Sequence, residues 1–292
     1  MIPCSNPLAQ FRSHDGEIIQ AIREVLESGS YILGPKLAEF EKKLSDYCGS
    51  NNAVGVNSGT DAIALSLRAL NIGPGDEVIT VAHTAIATVS AIIAVGATPV
   101  LVDIEPEYWT IDINSIEVAI TSKTKAIVAV HIYGQSIDIK EILRIAKQHN
   151  LYLIEDCAQS IGTKFDGKVV GSFGDFGCFS FYPTKNLGAI GDGGMIVTND
   201  QFLAERVRRI RQYGWNQQRK VSEVGVNSRL DEIQAAILLT KLKYLDEDNH
   251  KRHAIANQYL TQIKNLFCLK YAQIHFIVFI CFQSYVKPEM MQ

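Results

Sequence analysis

The chain has 292 residues, 28 Lys+Arg against 31 Asp+Glu, and a formal net charge of −3. With 47% hydrophobic and 20% charged residues, it reads as a globular protein with a full core, which excludes a disordered or collagen-like chain. The slightly acidic balance without Lys/Arg runs argues against nucleic acid or an anionic membrane as main partner. Six scattered Cys without a C-x-x-C pair point to reduced thiols in a cytoplasmic protein, not to a disulfide framework or a metal site.

The chain opens on helical patterns. Ile18, Ile19, Ile22, Val25 and Leu26 share one face over 13–28, which stops at Gly29. Leu37, Phe40, Leu44 and Tyr47 repeat the pattern over 36–48, before Gly49. Short β-branched runs then fall at 53–56, 77–81, 99–103, 126–131, 151–155, 176–181 and 195–198, with helical patterns at 59–70, 84–95, 139–149 and 200–213. That alternation predicts a parallel sheet covered on both faces. A last helical pattern from Ser228 to about Leu260 carries Leu230, Ile233, Ile237, Leu242 and Leu245. It is long enough to leave one domain and enter another. From about Asn265 the composition changes, and the apolar run from Ile274 to Phe282 is too short to cross a bilayer.

Three segments carry candidate chemistry. Asn57-Ser58-Gly59-Thr60-Asp61 follows a strand and opens a helix, where free backbone N–H groups and small residues suit a phosphate. Alone, it reads rather as an ordinary capped helix start. Leu151 to Gln159 is an apolar strand ending in Glu155 and Asp156. Strand alternation points the two carboxylates to opposite faces, so Asp156 at the tip could neutralise a protonated ring nitrogen, with Gln159 beside the same ring. The third segment runs from Cys178 through Ser180 and Lys185 to the glycine turn 191–194. A lysine in a low-dielectric pocket can form a Schiff base with an aldehyde, although most lysines are solvated charges. The conjunction is more telling than its parts. A helix-start cradle, a strand-tip Asp and a Lys 29 residues later are the three anchors of a pyridoxal phosphate site.

The segments NSGTDAIALSL, LIEDCAQSIG, GSFGDFGCFSFYPTKNLGAIGDGGMI and GVNSRLDEIQAAIL resemble the nucleotide-sugar aminotransferases of the DegT/DnrJ/EryC1/StrS family, a branch of fold-type I pyridoxal phosphate enzymes. The likeness runs from about residue 2 to about 262. It implies an α/β fold: a large domain with a mostly parallel seven-stranded sheet over residues 1–245, and a connecting helix with an atypical remnant of a small C-terminal domain over 246–292. It also implies that Lys185 binds the cofactor covalently and shuttles protons, that Asp156 pairs with the ring nitrogen and that Gln159 lies near the ring. Gly59, Thr60 and Ser180 would hold the phosphate. Asn227 would reach the cofactor phosphate of a neighbouring subunit, which makes the expected unit a homodimer with shared sites. An aromatic residue is common at the position matching Ala85, and Ala85 cannot stack, which leaves His83 to cover the ring. The reaction implied moves an amino group from glutamate to a keto-deoxysugar nucleotide, with a dTDP-3-keto-6-deoxyhexose favoured, for cell-surface polysaccharide or secondary-metabolite sugars. Lys185, where a dehydratase branch has His, favours transamination. The unfamiliar tail leads to the expectation of a truncated or frameshifted chain whose 228–260 helix exposes an apolar stripe. A catalytically impaired remnant and a ligand-sensing regulator on the same fold are the alternatives.

Overall fold

In the computed structural model, which describes residues 5–262 and the backbone of two later paired strands, helices and strands alternate as the residue pattern predicts. Helices α1 (Pro7–Arg12), α2 (Asp15–Ser28) and α3 (Pro35–Cys48) precede β1 (Asn52–Val56). Then come α4 (Gly59–Ala69), β2 (Glu77–Val81), α5 (Ile86–Ala94), β3 (Thr98–Val102), α6 (Ile113–Ala119), β4 (Thr124–Val130), α7 (Ile139–His149) and β5 (Tyr152–Asp156). A short hairpin, β6 (Lys164–Phe165) and β7 (Lys168–Val169), leads to β8 (Phe176–Ser180), β9 (Gly194–Thr198), α8 (Gln201–Ile210), α9 (Glu232–Leu242) and α10 (Leu245–Gln262). The pair β10 (Phe267–Cys268) and β11 (Ser284–Tyr285) ends the series.

The central sheet has seven strands in the order β1-β9-β8-β5-β4-β2-β3. Only β9 runs antiparallel, to both β8 and β1. The sheet is therefore α/β and mostly parallel, as the resemblance implies. Alternate strand residues enter two separate cores: Ile79, Ile127 and Leu153 pack with Phe40 and Phe181 on one side. Val78, Val128 and Ile154 pack with Ile63 and Ile92 on the other. Strands buried on both faces are continuous apolar runs, which is why periodicity finds them. The parallel strands β4 and β5 carry their carboxyl ends to one edge, the place where open α/β sheets bind ligands.

The structure corrects the sequence expectations in four places. The 228–260 pattern is two helices, α9 and α10, broken at Lys243 and Tyr244 with no Gly or Pro between them. The break swings Tyr244 onto His14, where the rings stack at 3.8 Å. Nor does α9 expose an apolar stripe: Ala235 to Leu239 are buried, and the helix packs on α2 and α3, as a helix apolar on all faces must. The helix expected from residue 84 begins at Ile86, because the Thr84 side chain turns to bond the Thr88 hydroxyl at 2.7 Å. The short helices α1 and α6 were not expected. The tail from about Asn265, with the apolar run 276–280, lies outside the described residues apart from the backbone of β10 and β11. Among the described residues no helix is long and apolar enough to cross a membrane.

Candidate active site

The start of α4 forms the first wall. Ser58 caps the helix, its Oγ accepting from the Asp61 N–H at 3.1 Å and its carbonyl from Ala62. The Gly59 and Thr60 amides head the helix with no intrahelical acceptor. Ser180, at the end of β8, lies against Gly59 so closely that a Cβ there would come within 2.7 Å of the Ser180 Cβ. A Cβ on Gly194 would meet the Ser58 carbonyl at 2.2 Å, so two glycines let β8 and β9 close on the cradle. The Ser228 hydroxyl donates to Asp61 Oδ2 at 2.6 Å and accepts from the Asn57 N–H at 3.0 Å. That ties the segment holding Asn227 to the cradle, although Asn227 itself is exposed. Overpacking of this kind costs about 1–3 kcal/mol. Gly59→Ala is accordingly expected to weaken pyridoxal phosphate binding by about tenfold in a protein of unchanged circular dichroism; equilibrium dialysis checks this.

Glu155 and Asp156 point to opposite faces of β5, as alternation requires. Glu155 is fully buried and accepts from the amides of Gly171 (2.7 Å), Phe173 and Gly174 (both 2.8 Å) and from His131 Nε2 at 3.1 Å. The Ile137 N–H donates to His131 Nδ1, which fixes the ring proton on Nε2. Burial alone would raise the Glu155 pKa, but His131 and the Gly174 and Gly171 amides outweigh it and hold it below the usual range. Stability from Glu155 is thus present above the ordinary glutamate pKa and is lost as pH falls through the depressed value. Glu155→Ala is expected to cost about 3–5 kcal/mol at neutral pH, with the gap to the parent narrowing in acid; urea melts at several pH values measure it. Cys157 comes within 4.8 Å of His131 and Glu155, but the Glu155 oxygens already serve the amides and His131.

Asp156 lies on the site face, 5% exposed. Its Oδ1 accepts from the Ala158 N–H at 3.1 Å and its Oδ2 from the Thr88 hydroxyl at 2.8 Å. Burial pushes its pKa up, against the Ala158 and Thr88 hydrogen bonds and the positive field of Lys185.

Lys185 is half-buried in the loop after β8. The loop closes on itself as the Ala189 N–H donates to Phe181 O and the Lys185 N–H to Tyr182 O, both at 2.8 Å. Helices α9 and α10 buttress it from behind. Asn186 Nδ2 donates to Asn249 Oδ1 at 2.9 Å, and Lys241 Nζ to Gly188 O at 2.7 Å and Gln10 Oε1 at 3.0 Å. Burial lowers the pKa of Lys241 to about 8. Lys241 also borders an apolar cavity of ≈ 490 Å³ reached by Pro183, Ala189 and Ile190.

Gln159 and His83 meet around Tyr133. Gln159 Oε1 accepts from the Tyr133 N–H at 2.8 Å, leaving its amide NH₂ as a donor. The His83 ring meets Tyr133 edge-on at 5.6 Å and Trp109 at 5.9 Å, and its Nε2 is shielded from solvent with no hydrogen-bond partner among the described residues. Tyr133, at φ 56°, sits in a strained backbone conformation typical of functional sites. Sequence reasoning missed Thr88, His131, Tyr133 and Trp109. For Thr88 a signal existed, its i+4 spacing from Thr84. The donor set fits pyridoxal phosphate on two observations of this chain: a cradle that one added Cβ would fill, and a buried carboxylate at the tip of β5.

The profile of the DegT/DnrJ/EryC1/StrS aminotransferase family matches residues 12–279. The dTDP-3-amino-3,6-dideoxy-alpha-D-galactopyranose transaminase of Aneurinibacillus thermoaerophilus is 55% identical over 251 residues, which is 86% of this chain and 69% of that one. The crystal structure of S. venezuelae DesV in complex with a ketimine intermediate has a TM-score of 0.96 at 42% identity, covering 99% of this chain and 79% of that one. NtdA from Bacillus subtilis, solved with bound cofactor PMP, gives 0.90 at 37% identity, over 96% of this chain and 65% of that one.

Proposed function

The chain belongs to the DegT/DnrJ/EryC1/StrS aminotransferase family, an enzyme with pyridoxal 5′-phosphate as cofactor, and from that premise we propose that it moves an amino group from glutamate to a dTDP-3-keto-6-deoxyhexose. The observation that carries the reading is the convergence of Lys185 and the buried Asp156, next to the Gly59–Ser180 cradle. The choice of sugar rests on the likeness to the A. thermoaerophilus transaminase. The product would serve cell-surface polysaccharide or secondary-metabolite sugars in the cytoplasm.

When bound, the cofactor supplies an aldehyde that takes up the amino group and a ring that accepts the electron pair freed at the substrate carbon. The Lys185 amine would hold the cofactor and, once freed, would act as base toward the proton on the glutamate carbon and as acid toward the sugar carbon that gains one. Asp156 keeps the ring nitrogen protonated. Gln159 offers its amide NH₂ toward the ring, and His83, braced by Trp109 and Tyr133, covers the face that Ala85 leaves open. Gly59, Thr60 and Ser180 bind the phosphate. Asn227 reaches the cofactor phosphate of a second copy, which makes the working unit a homodimer. On this reading residues 1–245 act as the cofactor-binding domain, and 246–292 form a second, smaller unit that begins with α10.

The test is an assay with glutamate and a panel of dTDP- and UDP-linked 3-keto and 4-keto sugars, read by mass spectrometry. A dTDP-3-amino-6-deoxyhexose and 2-oxoglutarate in equal amounts are expected. Amination of UDP sugars alone, or of none, would refute the substrate. For the shared site, mixing inactive Lys185→Ala chains with inactive Asn227→Ala chains is expected to restore activity, since each heterodimer regains one intact site. Activity that stays absent while heterodimers form would count against it.

A further inference from the structure

We propose that the hydroxyls of Thr84 and Thr88 form a one-way relay that keeps Asp156 ionised, and so keeps the shared proton on the cofactor's ring nitrogen rather than on the carboxylate. The inference deepens the reading of Asp156 as the ring partner and rests on it.

The geometry fixes the direction of the relay. Thr88, fully buried in the first turn of α5, lies 2.8 Å from Asp156 Oδ2 and 2.7 Å from the Thr84 hydroxyl. A carboxylate has no proton to give, so the single Thr88 proton goes to Asp156. The Thr88 oxygen is then left to accept, and Thr84 donates to it. Each donor disperses charge on the carboxylate and lowers its basicity. A chain of two hydroxyls polarised the same way does this more strongly than one.

Among the described residues, few charged or titratable groups act on Asp156. Lys185 approaches from the loop after β8 and His131 from the end of β4. Cys178 is its register partner on β8, whereas its neighbours Glu155 and Cys157 lie on the opposite face beside His131. Burial works against ionisation, and among the described residues the side-chain hydroxyl that opposes it directly is that of Thr88. When carboxylate and ring nitrogen share one proton, weakening the donors on the carboxylate makes it the better base, and the proton moves to it. The ring then loses the positive charge on which its electron-accepting power depends.

Two spectroscopic measurements test the relay. In the cofactor-free protein, carbon-13 carboxyl shifts follow the Asp156 titration without reference to any cofactor chemistry. Thr88→Val, close in shape but lacking the hydroxyl, is expected to raise its midpoint by about one pH unit or more, the size of a hydrogen bond to a charged group. Thr88→Ser is expected to restore the parent value, and Thr84→Val to shift it the same way by less. An unchanged midpoint in Thr88→Val and Thr84→Val overturns the relay; should Thr88→Val not fold, an unshifted Thr84→Val does so alone. With ring-¹⁵N pyridoxal phosphate bound, the nitrogen resonance of Thr88→Val is expected to move toward the unprotonated position, part of the way to that of Asp156→Asn. If Asp156→Asn itself leaves the ring nitrogen unmoved, the reading of Asp156 as ring partner has failed. If Asp156→Asn moves it and Thr88→Val does not, the relay alone has failed.

Discussion

Lys185→Ala is expected to leave a folded protein that still takes up pyridoxal phosphate but turns over slower by roughly 10⁴-fold or more, the scale seen when a covalent catalyst is removed. Folding survives because the loop is held by its backbone and by neighbouring side chains. It is closed by Ala189 on Phe181 and held from behind by Asn249 and Lys241. Cofactor uptake survives because the cradle of Gly59, Thr60 and Ser180 lies on other elements. Steady-state rates, visible absorbance and circular dichroism on one preparation separate the three effects. A variant that keeps more than a few per cent of parental turnover would show that Lys185 is not the proton carrier.

Asp156→Asn is expected to lower kcat by about 10²–10³-fold, the range for removing one preorganised electrostatic partner, while weakening cofactor affinity far less. Its effect on stability has the opposite sign. The carboxyl of Asp156 has a raised pKa in the folded protein, chiefly from burial. Its charge therefore destabilises the cofactor-free fold above the ordinary aspartate pKa, and the penalty is absent in acid. Cofactor-free Asp156→Asn is expected to melt no lower than the parent at pH 7, with the two curves converging as pH falls through the raised value. A variant that melts well below the parent at pH 7 would mean that Asp156 is held by a favourable ionic partner within the chain.

Much of the fold was legible because its determinants are local. Strands β1 to β5, β8 and β9 are apolar on both faces, and every expected end lies within two residues of the observed one. Helices α2 and α3 end at Gly29 and Gly49, as their sequence signals. The site anchors were legible for a related reason: Gly59, Asp156 and Lys185 are recognisable by residue type at a strand end or helix start. What escaped depends on long-range packing. The break between α9 and α10 is set by Tyr244 reaching His14, which no residue at the break announces. Glu155 looks like a second candidate acid, yet it binds the loop Gly171–Gly174 on the far side of the sheet. Thr88 is an unremarked position in an apolar helix until the fold brings Asp156 beside it.

Borohydride reduction of the protein saturated with pyridoxal phosphate, followed by peptide mapping, tests the central claim most directly. Reduction makes the covalent link to a lysine permanent and reports which lysine carries it. Lys241 is the informative competitor, since burial lowers its pKa to about 8 and it borders the same loop. The account predicts one equivalent of cofactor per chain, all of it on Lys185. Label on Lys241 or on scattered surface lysines, or no retained cofactor at all, would contradict it.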